Sequence, residues 1–351
     1  MPTVRAYVAH GPDRPLERDM IDRRPPDGTD VHLEIHYCGV CHSDLHTARG
    51  EWPGVVFPVV PGHEIVGRVM ALGRKATKFK VGDYAAIGCM VDSCRRCASC
   101  QEGLEQYCEK GPIFTYNSPN PQYPGGMTLG GYSTHIIIDE AFMLRLGSGE
   151  NLAAKAPLLC AGITTWSPLR HWDAGPGKKV GVVGLGGLGH MAVRLSKALG
   201  AETVLLTGSP SKVEDGLRLG ADHVVVTKDS AALEKHVRSM DLIVDTVSAP
   251  HDLDALTNLL RRDGTLCLLG APASPHPSPS IWPLVMKRTA IAGSIIGGIA
   301  ETQEMLDFCE ERGIVADIEL IPIQSINDAF ERMLRGDVRY RFVIDLASLK
   351  D

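Results

Sequence analysis

Residues 38–46 read "CGVCHSDLH", with two cysteines, two histidines, a serine and an aspartate in one short run and Cys38 and Cys41 at C-x-x-C spacing. Such a run suits a redox pair, a metal clip or one edge of an active site. A second run, "CRRCASCQEGLEQYC", has C-x2-C-x2-C-x7-C spacing and supplies Cys94, Cys97, Cys100 and Cys108. Four thiolates this close form a closed tetrahedral cage for zinc, with no position open for chemistry. An iron–sulfur cluster would call for a third gap of three residues with a proline after the last cysteine. Here the gap is seven and Glu109 follows, so the cage is read as structural zinc. A catalytic zinc takes three protein ligands and leaves a fourth position for water or substrate. Candidates after the first run are His63 in "PGHE", Glu64 beside it and Cys160 in "LLCAGITT".

A third stretch, "GLGGLG", covers Gly184, Leu185, Gly186, Gly187, Leu188 and Gly189 and fits G-x-G-x-x-G. It follows the apolar "KKVGVV" and opens the amphipathic "HMAVRLSKALG", the strand–turn–helix context in which a pyrophosphate rests on a helix N-terminus. An NAD site carries an acid about 20 residues on, at the end of the next strand, to hold the ribose 2′-hydroxyl. That strand is "TVLLTGSPSK", and Thr207 stands at the acid's position, followed by Gly208, Ser209, Ser211 and Lys212. Hydroxyls and a cation suit a 2′-phosphate, so the expected cofactor is NADP(H).

The elements that must position these residues fall into two patterns. Up to about residue 150, short β-type runs such as "VHLEIHYCGV", "HEIVGRVMAL", "DYAAIGCMV" and "YSTHIIID" alternate with Pro/Gly turns. From about 153, apolar strands alternate with amphipathic helices, the signature of a parallel sheet with crossover helices. "LDALTNLLRRDG" is read there as a helix and "TLCLLG" as a strand. After the linker-like 272–280 come two helical patterns and a last strand, "RYRFVIDL", too small a tail to stand alone. The expected domains are 1–152 with 291–351, and 153–290.

The chain has 351 residues, more than one core usually fills. Its 42 acidic and 36 basic residues give a net charge of −6 with no basic run, which argues against a nucleic-acid or anionic-membrane binder. No window approaches about 18 apolar residues and the start has no apolar leader, so a cytoplasmic protein is expected. In a reducing compartment its ten cysteines are ligands, nucleophiles or core residues sooner than disulfides.

The order "CGVCHSD", "PGHEIVGRV", four-cysteine lobe, "LLCAGITT" and "GLGGLG" resembles the zinc-containing medium-chain alcohol dehydrogenases over essentially the whole chain. The nearest resemblance is to the cinnamyl-alcohol-dehydrogenase-like branch and its bacterial NADP-dependent aldehyde reductases. It implies an α/β fold: a GroES-like β-rich catalytic domain that receives the C-terminal tail, plus a Rossmann doubly wound parallel-sheet domain. It implies Cys41, His63 and Cys160 as catalytic zinc ligands, with Glu64 a nearby carboxylate and Cys38 a packing residue. Two thiolates and an imidazole leave zinc electrophilic enough to polarise a carbonyl, which supports that assignment. Ser43 and His46 stand in the family's proton-relay positions, Asp44 where a carboxylate orients the ligand histidine, and His42 at a cofactor phosphate. Thr164, Ser294 and Ile296 match further cofactor positions.

By the same resemblance the substrate pocket is walled by Trp52, Cys89, Met90, Phe114 and Ile295, with Ile296 beside them. These are mostly apolar and favour aldehydes with an aliphatic or aromatic tail over polyols. Ile295 replaces a phenylalanine typical of the plant enzymes, so the expectation is a broad-range aldehyde reductase using two zinc ions and NADPH. An NAD-linked polyol or secondary-alcohol dehydrogenase is the alternative, and a non-catalytic NADPH-binding protein the remote one. The partner expected beyond the aldehyde or alcohol is a second copy, since family members commonly pair through the edge of the Rossmann sheet. "TAIAGSIIGG" at 289–298 suits such an edge.

Overall fold

A computed structural model describes residues 2–272 and 274–349. The chain forms two compact units, Met1–Cys160 with Gly297–Asp351, and Ala161–Ile296.

The first unit is built on a sheet that runs Ile318–Pro322, Arg341–Asp345, Asp30–Gly39, Ile65–Leu72, Tyr84–Ile87, Leu144–Arg145, with His135–Asp139 also pairing Asp30–Gly39. All these pairings are antiparallel except that of the two tail strands. Val31, Leu33 and Ile35 are fully buried while His32, Glu34 and His36 between them are not, the alternation of a strand with one face on a core. Ile65, Ile87, Ile136 and Phe342 are fully buried in the same unit. Each fully buried aliphatic side chain of this kind is worth roughly 1.5–3 kcal/mol. The strand Asp30–Gly39 ends just before Cys41, and the short helix His42–Ala48 starts there. Its central place in the sheet fixes where the first chemical run sits.

The second unit carries a six-stranded sheet in the order His223–Val226, Glu202–Thr207, Lys179–Val183, Met240–Asp245, Leu260–Leu268, Ala290–Gly293. Every pairing in it is parallel. Numbered along the chain, that order is 3-2-1-4-5-6, the doubly wound arrangement that binds dinucleotides at its switch point. Val183, Val204, Leu206, Met240, Ile243 and Leu266 lie in one buried cluster beneath the helix Leu253–Leu259.

Several local readings differ from the structure. The units part at 160/161 and 296/297, against the expected 152/153 and 290/291. Residues 152–159 form short helical turns that pack on first-unit strands. Ala290–Gly293 hydrogen-bonds to Leu260–Leu268 and so completes the second sheet. In "LDALTNLLRRDG" the helix stops at Leu259, because Leu260 and the residues after it join the strand Leu260–Leu268. The helix Ile281–Lys287 and the strand Ile318–Pro322 carry no clear pattern of their own and depend on packing and on pairing with Arg341–Asp345. In 272–280, the described residues form no helix or strand, and Ala273 lies outside them.

Candidate active site

Cys41 caps the helix His42–Ala48, and Asp44 in its first turn organises everything around it. Asp44 is fully buried. Its Oδ2 accepts the Cys41 N–H at 2.8 Å and the Tyr132 hydroxyl at 3.2 Å, and its Oδ1 accepts the Gly62 N–H at 3.0 Å. The same Oδ1 lies 3.1 Å from His63 Nδ1. The carboxylate only accepts, so Nδ1 carries a proton, and in the neutral ring Nε2 presents its lone pair. Burial works against the His63 imidazolium, yet the Asp44 charge overrides it and holds the ring well above the usual histidine range. Burial lifts the Tyr132 phenol well above its ordinary range, which keeps it a donor.

One ligand atom each from Cys41, His63, Glu64 and Cys160 lies within 4.8 Å of the others, and all four are buried or nearly so. The Cys41 and Cys160 sulfurs are 3.9 Å apart. Of the two, Cys41 is the one that ionises first, because Cys160 donates to it and Arg341 and His63 lend positive charge. Glu64 is paired with the buried Arg341 through Oε1, while its Oε2 is buried with no hydrogen-bond partner. Two thiols, an imidazole that hydrogen-bonds to one of them and a carboxylate with an orphaned oxygen are a donor set that fits zinc. Ser43 accepts a hydrogen bond from the Cys41 thiol at 3.6 Å. His46 is in contact with Glu51 at 2.5 Å and stacks on Trp52 at 5.6 Å, and the His42 ring lies 6.3 Å from it. Cys38 is buried, its sulfur turned to the carbonyl of Gly39 and away from the cluster's donor set.

Cys94, Cys97, Cys100 and Cys108 also converge, with ligand atoms all within 4.8 Å. Backbone N–H groups of Cys94 and Cys97 reach sulfurs at 3.4 Å. Such bonds lower the Cys94 thiol to about 6, the N–H of Arg96 first and that of Cys97 next. Sulfurs already pointed inward and solvated by backbone donors suit a closed zinc cage. The lobe is fastened to the C-terminal tail where Glu105 Oε2 accepts the N–H of Ile299, the first residue of the helix Ile299–Arg312.

In the second unit, the glycine loop joins the strand Lys179–Val183 to the helix Gly189–Ala198. Gly184 sits at φ +87°, and a Cβ on Gly189 would lie 2.1 Å from the Gly184 carbonyl oxygen, so both positions demand glycine. A Cβ on Gly186 would meet nothing within 4 Å, which leaves room for a ligand to approach. Thr207 ends the strand Glu202–Thr207, and its hydroxyl accepts the Ser209 N–H at 3.2 Å. Ser209 and Ser211 hydroxyls are 2.8 Å apart, and Lys212 Nζ donates to the Leu185 carbonyl at 2.6 Å, beside the loop.

An alcohol dehydrogenase GroES-like domain model matches residues 27–148, and a zinc-binding dehydrogenase model matches residues 187–311. The aldehyde reductase YahK of Escherichia coli is 58% identical over 349 residues, 99% of each chain. The NADP-dependent alcohol dehydrogenase C of Mycobacterium tuberculosis is 52% identical, covering 99% of this chain and all of its own. Among solved structures, a cinnamyl alcohol dehydrogenase of Sorghum bicolor superposes with a TM-score of 0.94 at 41% identity, over 99% of this chain and 98% of that one. The Helicobacter pylori enzyme complexed with NADP(H) gives 0.91 at 36%, over 98% of both. The chain belongs to the zinc-containing medium-chain alcohol dehydrogenases, in their cinnamyl-alcohol-dehydrogenase-like branch.

For a zinc alcohol dehydrogenase, the expected pocket residues are distributed as follows. Met90 and Phe114 pair across a two-stranded ribbon, Met90 buried and Phe114 39% exposed, with Cys89 next to Met90. Trp52 is exposed beside His46. Ile295 belongs to the second unit, as do Thr164, Ser294 and Ile296. Sequence reasoning missed Arg341 and Gly39. A Cβ on Gly39 would lie 1.9 Å from Glu64 Oε2, so this glycine makes the room in which that carboxylate packs. Arg341 opens a strand whose first four residues are buried, and a charged residue in such a strand is the signal that it has a buried partner.

Proposed function

We propose that this dehydrogenase works as a broad-range aldehyde reductase, converting an aldehyde and NADPH to a primary alcohol and NADP+. The observation that carries the reading is the buried convergence of Cys41, His63 and Cys160 with the unpartnered Glu64 oxygen beside them. These three residues would hold the catalytic zinc, which when bound polarises a carbonyl oxygen. The cofactor supplies the hydride. Asp44 keeps the His63 proton on Nδ1, so the imidazole offers Nε2 in one orientation. Arg341 offsets the Glu64 charge and favours the Cys41 thiolate. The Ser43 hydroxyl, which accepts from the Cys41 thiol, would give a proton to the alcohol oxygen and regain it by way of a cofactor ribose hydroxyl from half-buried His46, which exchanges protons with solvent. The names of the two curated relatives support the direction and the cofactor.

The NADPH preference rests on Thr207, Ser209, Ser211 and Lys212 at the end of the second strand, where no carboxylate stands. Initial rates with an aromatic aldehyde and each cofactor, on protein whose zinc has been counted, test the reading. Strong preference for NADPH with about two zinc ions per chain is expected; no consumption of either cofactor by zinc-loaded protein would remove it. In Thr207→Asp the ratio of catalytic efficiencies should move toward NADH, because a carboxylate repels the 2′-phosphate.

Two further points belong to the same reading. The ten cysteines are all free thiols, and among the described residues no helix is long and apolar enough to cross a membrane, which supports a cytoplasmic site of action. The edge strand Ala290–Gly293 and the neighbouring helix Ile281–Lys287, whose Ile281, Trp282, Val285 and Met286 are 62–75% exposed, support a homodimer through that edge.

A further inference from the structure

The central strand Met240–Asp245 of the second unit ends in another set of ligand-type side chains. Asp245 has a side chain only 2% exposed, and its Oδ1 accepts the Val247 N–H at 3.1 Å. Its Oδ2 lies 3.0 Å from His251 Nε2. On the other side of that ring, Nδ1 is 2.9 Å from the Ala249 carbonyl oxygen, which can only accept. Nδ1 therefore carries the proton, and in the neutral ring Nε2 turns a lone pair toward a carboxylate. That Nε2 is buried, and its contact with Oδ2 is not aligned as a well-formed hydrogen bond. Two acceptors in contact and shielded from water repel unless a positive charge stands between them.

His276, carried by the irregular segment 272–280, closes the third side. Its ring stands at 89° to that of His251, with centroids 4.9 Å apart. Its Nδ1 accepts the His251 backbone N–H at 3.4 Å, longer than a strong hydrogen bond and weak enough to yield to an ion. One ligand atom from each of Asp245, His251 and His276 lies within 4.8 Å of the others. An imidazole fixed by a carbonyl on its far nitrogen, with a carboxylate at the near one, is the arrangement that metal-binding histidines adopt.

We propose that Asp245, His251 and His276 bind a divalent transition-metal ion, zinc in the first place, with water completing its shell. Two imidazoles and one carboxylate suit zinc, cobalt(II) or nickel(II) and disfavour calcium and magnesium. Burial lifts the Asp245 carboxyl above its ordinary range, and a cation at this place reverses that. The ion ties residue 276 and its irregular segment to the end of the central strand. This site shares no residue with the zinc triad or the four-cysteine cage and stands independently of the reductase reading.

The test is equilibrium dialysis of the zinc-loaded protein against micromolar zinc, with bound metal counted by elemental analysis. The wild type should hold about one zinc ion per chain more than His276→Gln or the His251→Ala/His276→Ala double variant. Cobalt(II) added to wild-type protein that holds zinc only at its two thiolate sites supplies a readout that needs no variant. It should saturate at about one bound equivalent with weak visible absorption and no sulfur-to-cobalt charge-transfer band. Equal zinc counts in the wild type and both variants, or no saturable cobalt binding, would overturn the proposal and leave a protonated His251 paired with Asp245.

Discussion

Cys41 differs from Cys38, three residues earlier, only in what the chain packs against it. Cys38 faces the close-packed backbone around Gly62 and Gly131, where its sulfur would lie 2.8–2.9 Å from an added Cβ. Cys41 caps a helix and faces His63 and Cys160. Cys41→Ala should therefore abolish aldehyde turnover and lower the zinc count by about one per chain while the circular dichroism spectrum and melting cooperativity persist. Near-normal turnover in that variant would sink the ligand assignment. Arg341 supports a different expectation. Removing one partner of a buried ion pair leaves the other charge uncompensated, so Arg341→Met should destabilise the fold by about 3–5 kcal/mol in denaturant titrations. The double change Glu64→Gln/Arg341→Met should recover part of that loss, because the pair is coupled. Strict additivity of the two single effects would show that the pair carries no such coupling.

At the scale of elements, the four-cysteine lobe is a loop with little core of its own, its helix Ala98–Gln101 having no buried residue. Metal ligation must replace the hydrophobic burial it lacks. Cys97→Ala, or a strong chelator, should lower the thermal midpoint before it alters the kinetics of the surviving folded protein. An unchanged midpoint with lost turnover would reverse the roles given to the two zinc sites. The strand–turn–helix around Gly184 and Gly189 works differently: it closes by the approach of the Gly184 carbonyl to Gly189.

For the whole molecule, the exposed face of Ile281–Lys287 beside an edge strand argues for pairing of two chains. Light scattering should report twice the mass of one 37.9 kDa chain, and Trp282→Glu/Met286→Glu should shift it toward the monomer. A wild type that scatters as a monomer at micromolar concentration would remove the dimer.

The residue types and short-range spacing of the sequence by themselves determined the four-cysteine cage, the glycine loop with its polar cofactor end, and the β-rich and α/β character of the two halves. Each is a local pattern: ligand spacing, a tight turn between strand and helix, or alternation along one element. Choosing Cys41, His63 and Cys160 as the zinc-binding set needed the family resemblance, since the spacing of "CGVCHSDLH" alone leaves a redox pair and a metal clip open. Only the tertiary structure decided that Arg341 meets Glu64 across 277 positions, that Tyr132 reaches Asp44, and that Gly39 makes room for a carboxylate. It also decided that Leu260 leaves a helical pattern for a strand and that His276 comes to Asp245. Ion pairs, close contacts and ligand clusters depend on distance in space, and the folding of the sheets brings together groups that no sequence interval relates.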